Sequence, residues 1–256
     1  MSVLEVQGVT VGYDRPVLTE VNLSAEAGEL LAICGPNASG KSTLLSAALG
    51  LLKPTAGTVR WHGTPLQDWP RRELSKRVAF LPQRPTAASG HRVGDVLLSG
   101  RSPHWNVFGS EEASAGEIVR EVATRLDLVE MIGRPMHTLS GGQRQRVFIG
   151  RSLVQIAGAA APVLVLDEPD ASLDIAQGVR LMRLLREIVR GGTAVLLVTH
   201  HLDHAAAADR VALVDHGRVH VGNAEAILTA EQLTRAFDVP LRVVEAGGQR
   251  LFLPDS

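Results

Sequence analysis

Hydrophobic and polar positions change rhythm several times along this chain. Leu4, Val6, Val9, Val11 and Tyr13, then Val17, Val21 and Leu23, recur among polar residues, the pattern of strands. "EAGELLAIC" reads as a short turn feeding an apolar strand. "KSTLLSAALGLL" then switches to helical spacing, with Leu44, Leu45, Ala48, Leu51 and Leu52 on the expected buried side. Gly50 weakens that helix and "KPTAG" ends it with a turn. "GTVRWHGTPL" predicts a hairpin and "RVAFLP" another buried strand.

The composition then shifts. Residues 84–112 are rich in Gly, Ser and Pro, with one short helix expected at 93–100. Residues 113–131 look helical, and "LSGGQRQRVFIGRSLVQIA" reads as a loop opening a second helix. From 162 the strands return: "PVLVLDEP", a helix over 174–190, "TAVLLVTH", a helix over 202–208, then "RVALVDHGRVHVG". A short helix is expected near 231–237, followed by a hairpin turning at Gly247-Gly248. Apolar strands alternating with helices predict an α/β fold with a mainly parallel sheet covered on both faces. The stretch 84–160 reads as a helical insertion. Residues 226–256 read as a C-terminal extension.

Bulk composition adds limits. Of 256 residues, 45% are hydrophobic and 21% charged, ordinary for a globular protein. A net charge of -1 argues against a mainly nucleic-acid-binding surface. The single cysteine, Cys34, sits in an apolar run, as a small buried side chain would. It has no partner for an internal disulfide, which fits a reducing compartment. The opening "MSVLEVQGVTVGYD" lacks the basic start and apolar core of a signal peptide. No run approaches the roughly 20 apolar residues of a spanning helix, so work at a membrane would need a partner.

Chemistry enters at Gly35-Pro36-Asn37-Ala38-Ser39-Gly40-Lys41-Ser42-Thr43. A strand precedes this stretch and a helix follows it, the setting of a phosphate-binding P-loop. Glycines let successive N–H groups curl inward, and the helix start adds partial positive charge. Lys41 would reach the β- and γ-phosphates of a nucleotide, and Ser42 would ligate Mg²⁺. Alanine tolerates positive φ less well than glycine. Ala38 is nonetheless read as a neutral variation, on the expectation that its position does not need positive φ.

Two acids close the apolar strand "VLVLD". Asp167 suits holding Mg²⁺ through a bound water, and Glu168 suits orienting or deprotonating an attacking water. Taken alone, the pair also fits two solvated acids at a strand end. "LSGGQ" is a second glycine cradle at a helix start, with Ser140 as cap and Gly141 and Gly142 exposing N–H groups. Local physics alone favours an ordinary capped helix start there.

The ordered set of motifs resembles the ATP-binding subunit of ABC transporters. "GPNASGKST" matches Walker A, "LPQ" at 81–83 the Q-loop, and "LSGGQRQR" the signature. "VLVLDEP" matches Walker B, "ASLD" the D-loop, and "LLVTH" the switch histidine. The likeness spans residues 1–225. It implies a P-loop NTPase core with an N-terminal antiparallel β subdomain (1–83 and 161–225) and an inserted helical subdomain (84–160).

The resemblance further implies two copies packed head to tail, with ATP held between one Walker A and the other signature loop. Tyr13 would stack on adenine, although a lone tyrosine between strands also has a core reading. Gln83 would touch Mg²⁺ and the attacking water. Asp167 would serve the metal, Glu168 would act on water, and His200 would contact the γ-phosphate. Ser140, Gly141, Gly142 and Gln143 would reach the partner's ATP, and Asp174 would cross the dimer interface. Integral-membrane permease subunits and a substrate-binding protein are the implied partners. The implied location is the cytoplasmic face of the inner membrane, with docking through residues 84–112.

"PRRELSKRVAFLPQ", "VGDVLLSGRSPHW" and "FDVPLRV" are similar to ATPases importing iron-siderophore, haem or cobalamin. "SGGQRQRVFIGRSL" is also similar to zinc and manganese importers. Two other classes compete: a soluble ATP-gated clamp and a small-molecule P-loop kinase. The clamp would usually carry coiled-coil insertions or a second cassette, and the kinase would not need the signature. Asp170 and His201 depart from common residues at their positions. His200, His201 and His204 also suggest a metal site, but lack the acid of an H-E-x-x-H pattern.

Overall fold

The computed structural model describes residues 1–86, 90–105, 114–171, 173–247 and 249–255. Contacts divide the chain into two units, Met1–Trp69 with Leu185–Ser256, and Pro70–Leu184.

The first unit opens with an antiparallel sheet. Its strands are β1 (Ser2–Gly12), β2 (Pro16–Glu26), β4 (Ala56–Trp61) and β5 (Thr64–Pro65), in the order β2-β1-β4-β5. Between them in sequence come β3 (Leu30–Cys34) and α1 (Lys41–Ala48). β3 is buried at every residue, as a strand covered on both faces must be. It pairs in parallel with β8 (Ala194–Val198) and β9 (Arg210–Asp215). β10 (Arg218–Gly222) returns antiparallel to β9. His216 and Gly217 both take positive φ, 43° and 80°, the geometry of a two-residue hairpin turn.

α1 stops sooner than its apolar spacing predicts. Gly50 takes φ 68°, and the N–H groups of Gly50 and Leu51 bond back to Ala47 and Ser46 at 3.0 and 2.8 Å. That is a Schellman stop. It turns Leu51 out to 66% exposure and leaves Leu52 half-buried, so neither joins the buried helix face. Trp61 is fully buried, and its Nε1 donates to the Ala48 carbonyl at 2.8 Å, satisfying one of the helix's last acceptors.

The rest of the first unit is α7 (Leu202–Ala206), α8 (Ala224–Ile227), α9 (Ala230–Phe237) and the hairpin β11 (Leu241–Ala246) with β12 (Gln249–Pro254). The hairpin pairs Ala246 with Gln249, the register expected for a turn at 247–248, of which Gly248 lies outside the described residues. Arg250 donates to the carbonyls of Ala224 and Leu228 at 2.8 and 3.0 Å, which fastens the hairpin to α8.

The second unit carries α2 (Arg71–Ser75), β6 (Val78–Leu81), α3 (Val93–Ser99), α4 (Ala115–Arg125), α5 (Gly141–Ile156) and β7 (Val163–Asp167). α6 (Ile175–Arg190) begins in it. β6 and β7 pair in parallel from Val78↔Val163 to Leu81↔Leu166. α5 packs against α3 and α4. At Gly150 an added Cβ would lie 2.8 Å from Leu97 and 3.0 Å from Leu126, so these side chains close on bare backbone. The expected docking segment 84–112 lies outside the described residues at 87–89 and 106–112.

Candidate nucleotide-binding and catalytic site

Parallel pairing brings the ends of β3, β8 and β9 to one edge of the first unit. Ile33 is level with Val198, and Cys34 with Leu213. The loop beginning at Gly35 and the segment Thr199-His200 therefore leave neighbouring strands at the same end, where α/β proteins bind ligands.

The loop's shape follows from its residues. Gly35 has φ 146°, and a Cβ there would sit 2.4 Å from the Val214 carbonyl oxygen. Gly40 has φ 111°, and its Cβ would meet Leu18 at 2.8 Å. Ala38 has φ 62°, so the expectation that its position does not need positive φ is corrected. Lys41 is 5% exposed, and its Nζ donates to the carbonyls of Gly35 and Pro36 at 2.9 and 2.8 Å. The ammonium is thus held over the loop beside the start of α1. Ser39 Oγ is buried and has no hydrogen-bond partner among the described residues. Ser42 is exposed on the first turn of α1. A glycine-lined cradle with a lysine above it and an orphaned hydroxyl inside fits a polyphosphate.

Burial pushes the Cys34 thiol up to about 12, against a smaller opposing pull from Lys41. Tyr13 lies just beyond β1 and is 73% exposed, which excludes the core reading. His200 is exposed at the end of β8, and its ring lies 4.2 Å from that of His201. His201 packs in turn on His204 at 5.1 Å. Among the described residues no group of three or more His, Cys, Asp or Glu could hold a metal ion.

In the second unit, β6 and β7 likewise deliver Gln83 and the acids to one end. Gln83 Nε2 donates to Glu168 Oε2 at 2.6 Å. Glu168 takes φ 45°, a conformation rare outside glycine, directly after β7. Asp167 is half-buried at the last position of β7. Asp167 and Gln83 both offer oxygen donors, the class that Mg²⁺ takes.

Ser140 caps α5 in a reciprocal box. Its Oγ accepts from Gln143 N–H at 3.3 Å, and Gln143 Oε1 accepts from Ser140 N–H at 3.0 Å. Gly141 is open, with nothing within 4 Å of an added Cβ, whereas Gly142 faces Gln177 at 3.5 Å. Asp174 caps α6 by accepting from Gln177 N–H at 2.8 Å. One contact had no sequence signal. Gln145, on α5, donates to the Pro169 carbonyl, linking the signature helix to the exit of β7. A second missed feature is the buried Asp215, at a strand end before a Gly turn.

The family pattern described as ABC transporter matches residues 18–171. Over 232 residues the chain is 42% identical to the hemin import ATP-binding protein HmuV of Streptomyces coelicolor, covering 90% of this chain and 80% of that protein. It is 38% identical over 244 residues to the cobalamin import ATP-binding protein BtuD of Halobacterium salinarum, covering 94% and 60%. A solved structure of a metal-chelate type ABC transporter in an inward-facing conformation superposes with TM-score 0.87 at 26% identity, covering 100% and 98% of the two chains.

Proposed function

Since the chain belongs to the ABC transporter family and is an ATPase coupled to transport, we propose that its cargo is an iron chelate, haem or a cobalamin-like molecule taken into the cell. The support is the likeness, over 90% and 94% of this chain, to haem and cobalamin import subunits, together with the metal-chelate transporter fold. Among the described residues no helix is long and apolar enough to cross a membrane. As an import ATP-binding subunit like its relatives, the chain would sit on the cytoplasmic face through permease subunits, docked through residues 84–112. A substrate-binding protein would deliver the cargo.

In this reading Gly35 to Thr43 hold the phosphates of ATP, and Tyr13 stacks on adenine. Ser42, Gln83 and Asp167 serve Mg²⁺, which neutralises charge developing on the phosphates. Glu168 orients or deprotonates water, and His200 contacts the γ-phosphate. Ser140 to Gln143 of a second copy complete the site, and Asp174 lies at that interface. ATP closes the head-to-tail pair because both copies contact one γ-phosphate, and hydrolysis removes that shared ligand.

The single observation that carries the catalytic reading is the Gln83–Glu168 hydrogen bond, which places a positioned carboxylate at the end of β7. The test is Glu168→Gln in the full chain. Hydrolysis should fall by roughly a hundredfold or more while ATP stays bound and a dimer forms on gel filtration. Rapid turnover by that variant would overturn the role. Ser140→Arg should stop turnover as well; a small-molecule kinase would be spared.

A further inference from the structure

The tail beyond residue 225 is tied to the phosphate loop through one buried carboxylate. Asp215 ends β9 and is 4% exposed. Its Oδ2 accepts from Arg235 Nε of α9 at 2.6 Å, and its Oδ1 meets His216 Nδ1 at 2.6 Å. Arg235 also reaches His220 Nε2 at 3.2 Å. His220 Nε2 stands 3.7 Å from Asp215 Oδ2, and His216 Nε2 stands 3.5 Å from Asp238 at the end of α9.

The residue before Asp215 is Val214, whose carbonyl oxygen occupies the place a Gly35 Cβ would take. The residue after His216 is Gly217, whose carbonyl accepts from Thr19 N–H at 2.8 Å. Thr19 adjoins Leu18, the side chain lying against Gly40. Both ends of the phosphate loop thus rest on backbone anchored by the same β9–β10 turn.

We propose that the Arg235–Asp215 ion pair is a positioning device for the phosphate loop, through which the C-terminal extension sets how tightly ATP is held. It rests on the ATP-binding reading above. The guanidinium gives Asp215 one charge-assisted hydrogen bond from Nε and a permanent charge, while its Nη2 reaches His220. Fixing Asp215 fixes Val214, and Val214 sets the wall on which Gly35 turns. Arg235 is a positioning residue, acting only through this backbone.

The test compares the full chain with Arg235→Met and Arg235→Lys, using ATP titration by calorimetry and amide exchange without nucleotide. At about pH 8.5 Arg235→Met should bind ATP roughly three- to tenfold more weakly, with Arg235→Lys in between. At about pH 6 protonated His216 should stand in for the lost cation and restore most of the affinity. Wild type, with its permanent charge, should show little of this pH dependence. Amides at 35–40 should exchange roughly tenfold faster in Arg235→Met at the higher pH. Unchanged ATP affinity in the folded variant, or loosening confined to the tail, would overturn the proposal. Should Arg235→Met not fold, Arg235→Lys carries the same comparison at smaller amplitude. Failure of wild type to bind ATP would instead sink the nucleotide reading, and the exchange comparison would still decide the coupling.

Discussion

Gln83 and Glu168 meet at 2.6 Å, at the ends of two parallel strands. A neutral amide on one carboxylate oxygen turns the group without removing its charge. Gln83→Ala should therefore misplace the proposed catalytic carboxylate rather than abolish it. Turnover of ATP should drop by about tenfold, less than for Glu168→Gln, while ATP affinity changes little. Phosphate release and an equilibrium ATP titration separate the two effects. A variant that loses affinity and keeps its turnover rate would contradict this division.

Ala38 at φ 62° carries strain in the middle of the loop. A left-handed L-residue costs roughly 1–2 kcal/mol. Glycine would remove that cost and lose about 0.4–1 kcal/mol through a more flexible unfolded chain. The strain is the larger of the two, so Ala38→Gly should stabilise the protein by roughly 0.5–1 kcal/mol. Ala38→Val should destabilise it. Denaturant midpoints of the two variants give the comparison.

Gly35→Ala tests the opposite case. Its Cβ would stand 2.4 Å from the Val214 carbonyl oxygen, and that wall is backbone which cannot rotate away. Overpacking of this kind costs about 1–3 kcal/mol. Stability should fall by at least that lower bound, and ATP affinity should fall with it because the cradle must open. A variant with wild-type affinity would show that the contact is not needed for phosphate binding.

The strands and the P-loop were legible because burial and glycine spacing are local signals. β3 and β8 read as unbroken apolar runs, and each is buried throughout. The Ser140 cap was legible from Ser and Gln three residues apart. Leu51 was misread because helical spacing continues through Gly50, while the backbone stops there. Ala38 was misread because φ depends on the whole loop, which composition does not encode. Asp215 and Arg235 stand 20 residues apart on different elements, so no short pattern joins them.

Cys34 should be inert in the folded protein. Its thiol is fully buried, and burial raises it to about 12 from an ordinary 9.0. The thiolate fraction at neutral pH then falls by roughly a thousandfold, before steric protection is counted. A thiol reagent should label the native protein only at the rate of opening, and the unfolded chain at once. Fast labelling of native protein would place the side chain at the surface.

The charge cluster at the β9–β10 turn gives stability a two-sided pH dependence. Burial raises Asp215, but hydrogen bonds from His216 and Arg235 outweigh it and hold the carboxyl below its ordinary 3.8. A lowered carboxyl contributes stability above its unfolded value and loses it as pH falls through the folded value. The Asp215 hydrogen bond, with Asp238 behind it, raises His216 above its ordinary 6.5. A raised histidine contributes fully below its unfolded value and loses that contribution as pH rises through the folded one. The cluster should therefore stabilise most between about pH 4 and 6.5. Melting temperatures of wild type and His216→Gln should differ most in that window and converge as pH rises through the folded histidine's raised value. Asp215→Asn should instead remove the acid limb, because no carboxylate remains to be protonated there. A difference between wild type and His216→Gln that grows with rising pH would show that the histidine acts through packing and not through its charge.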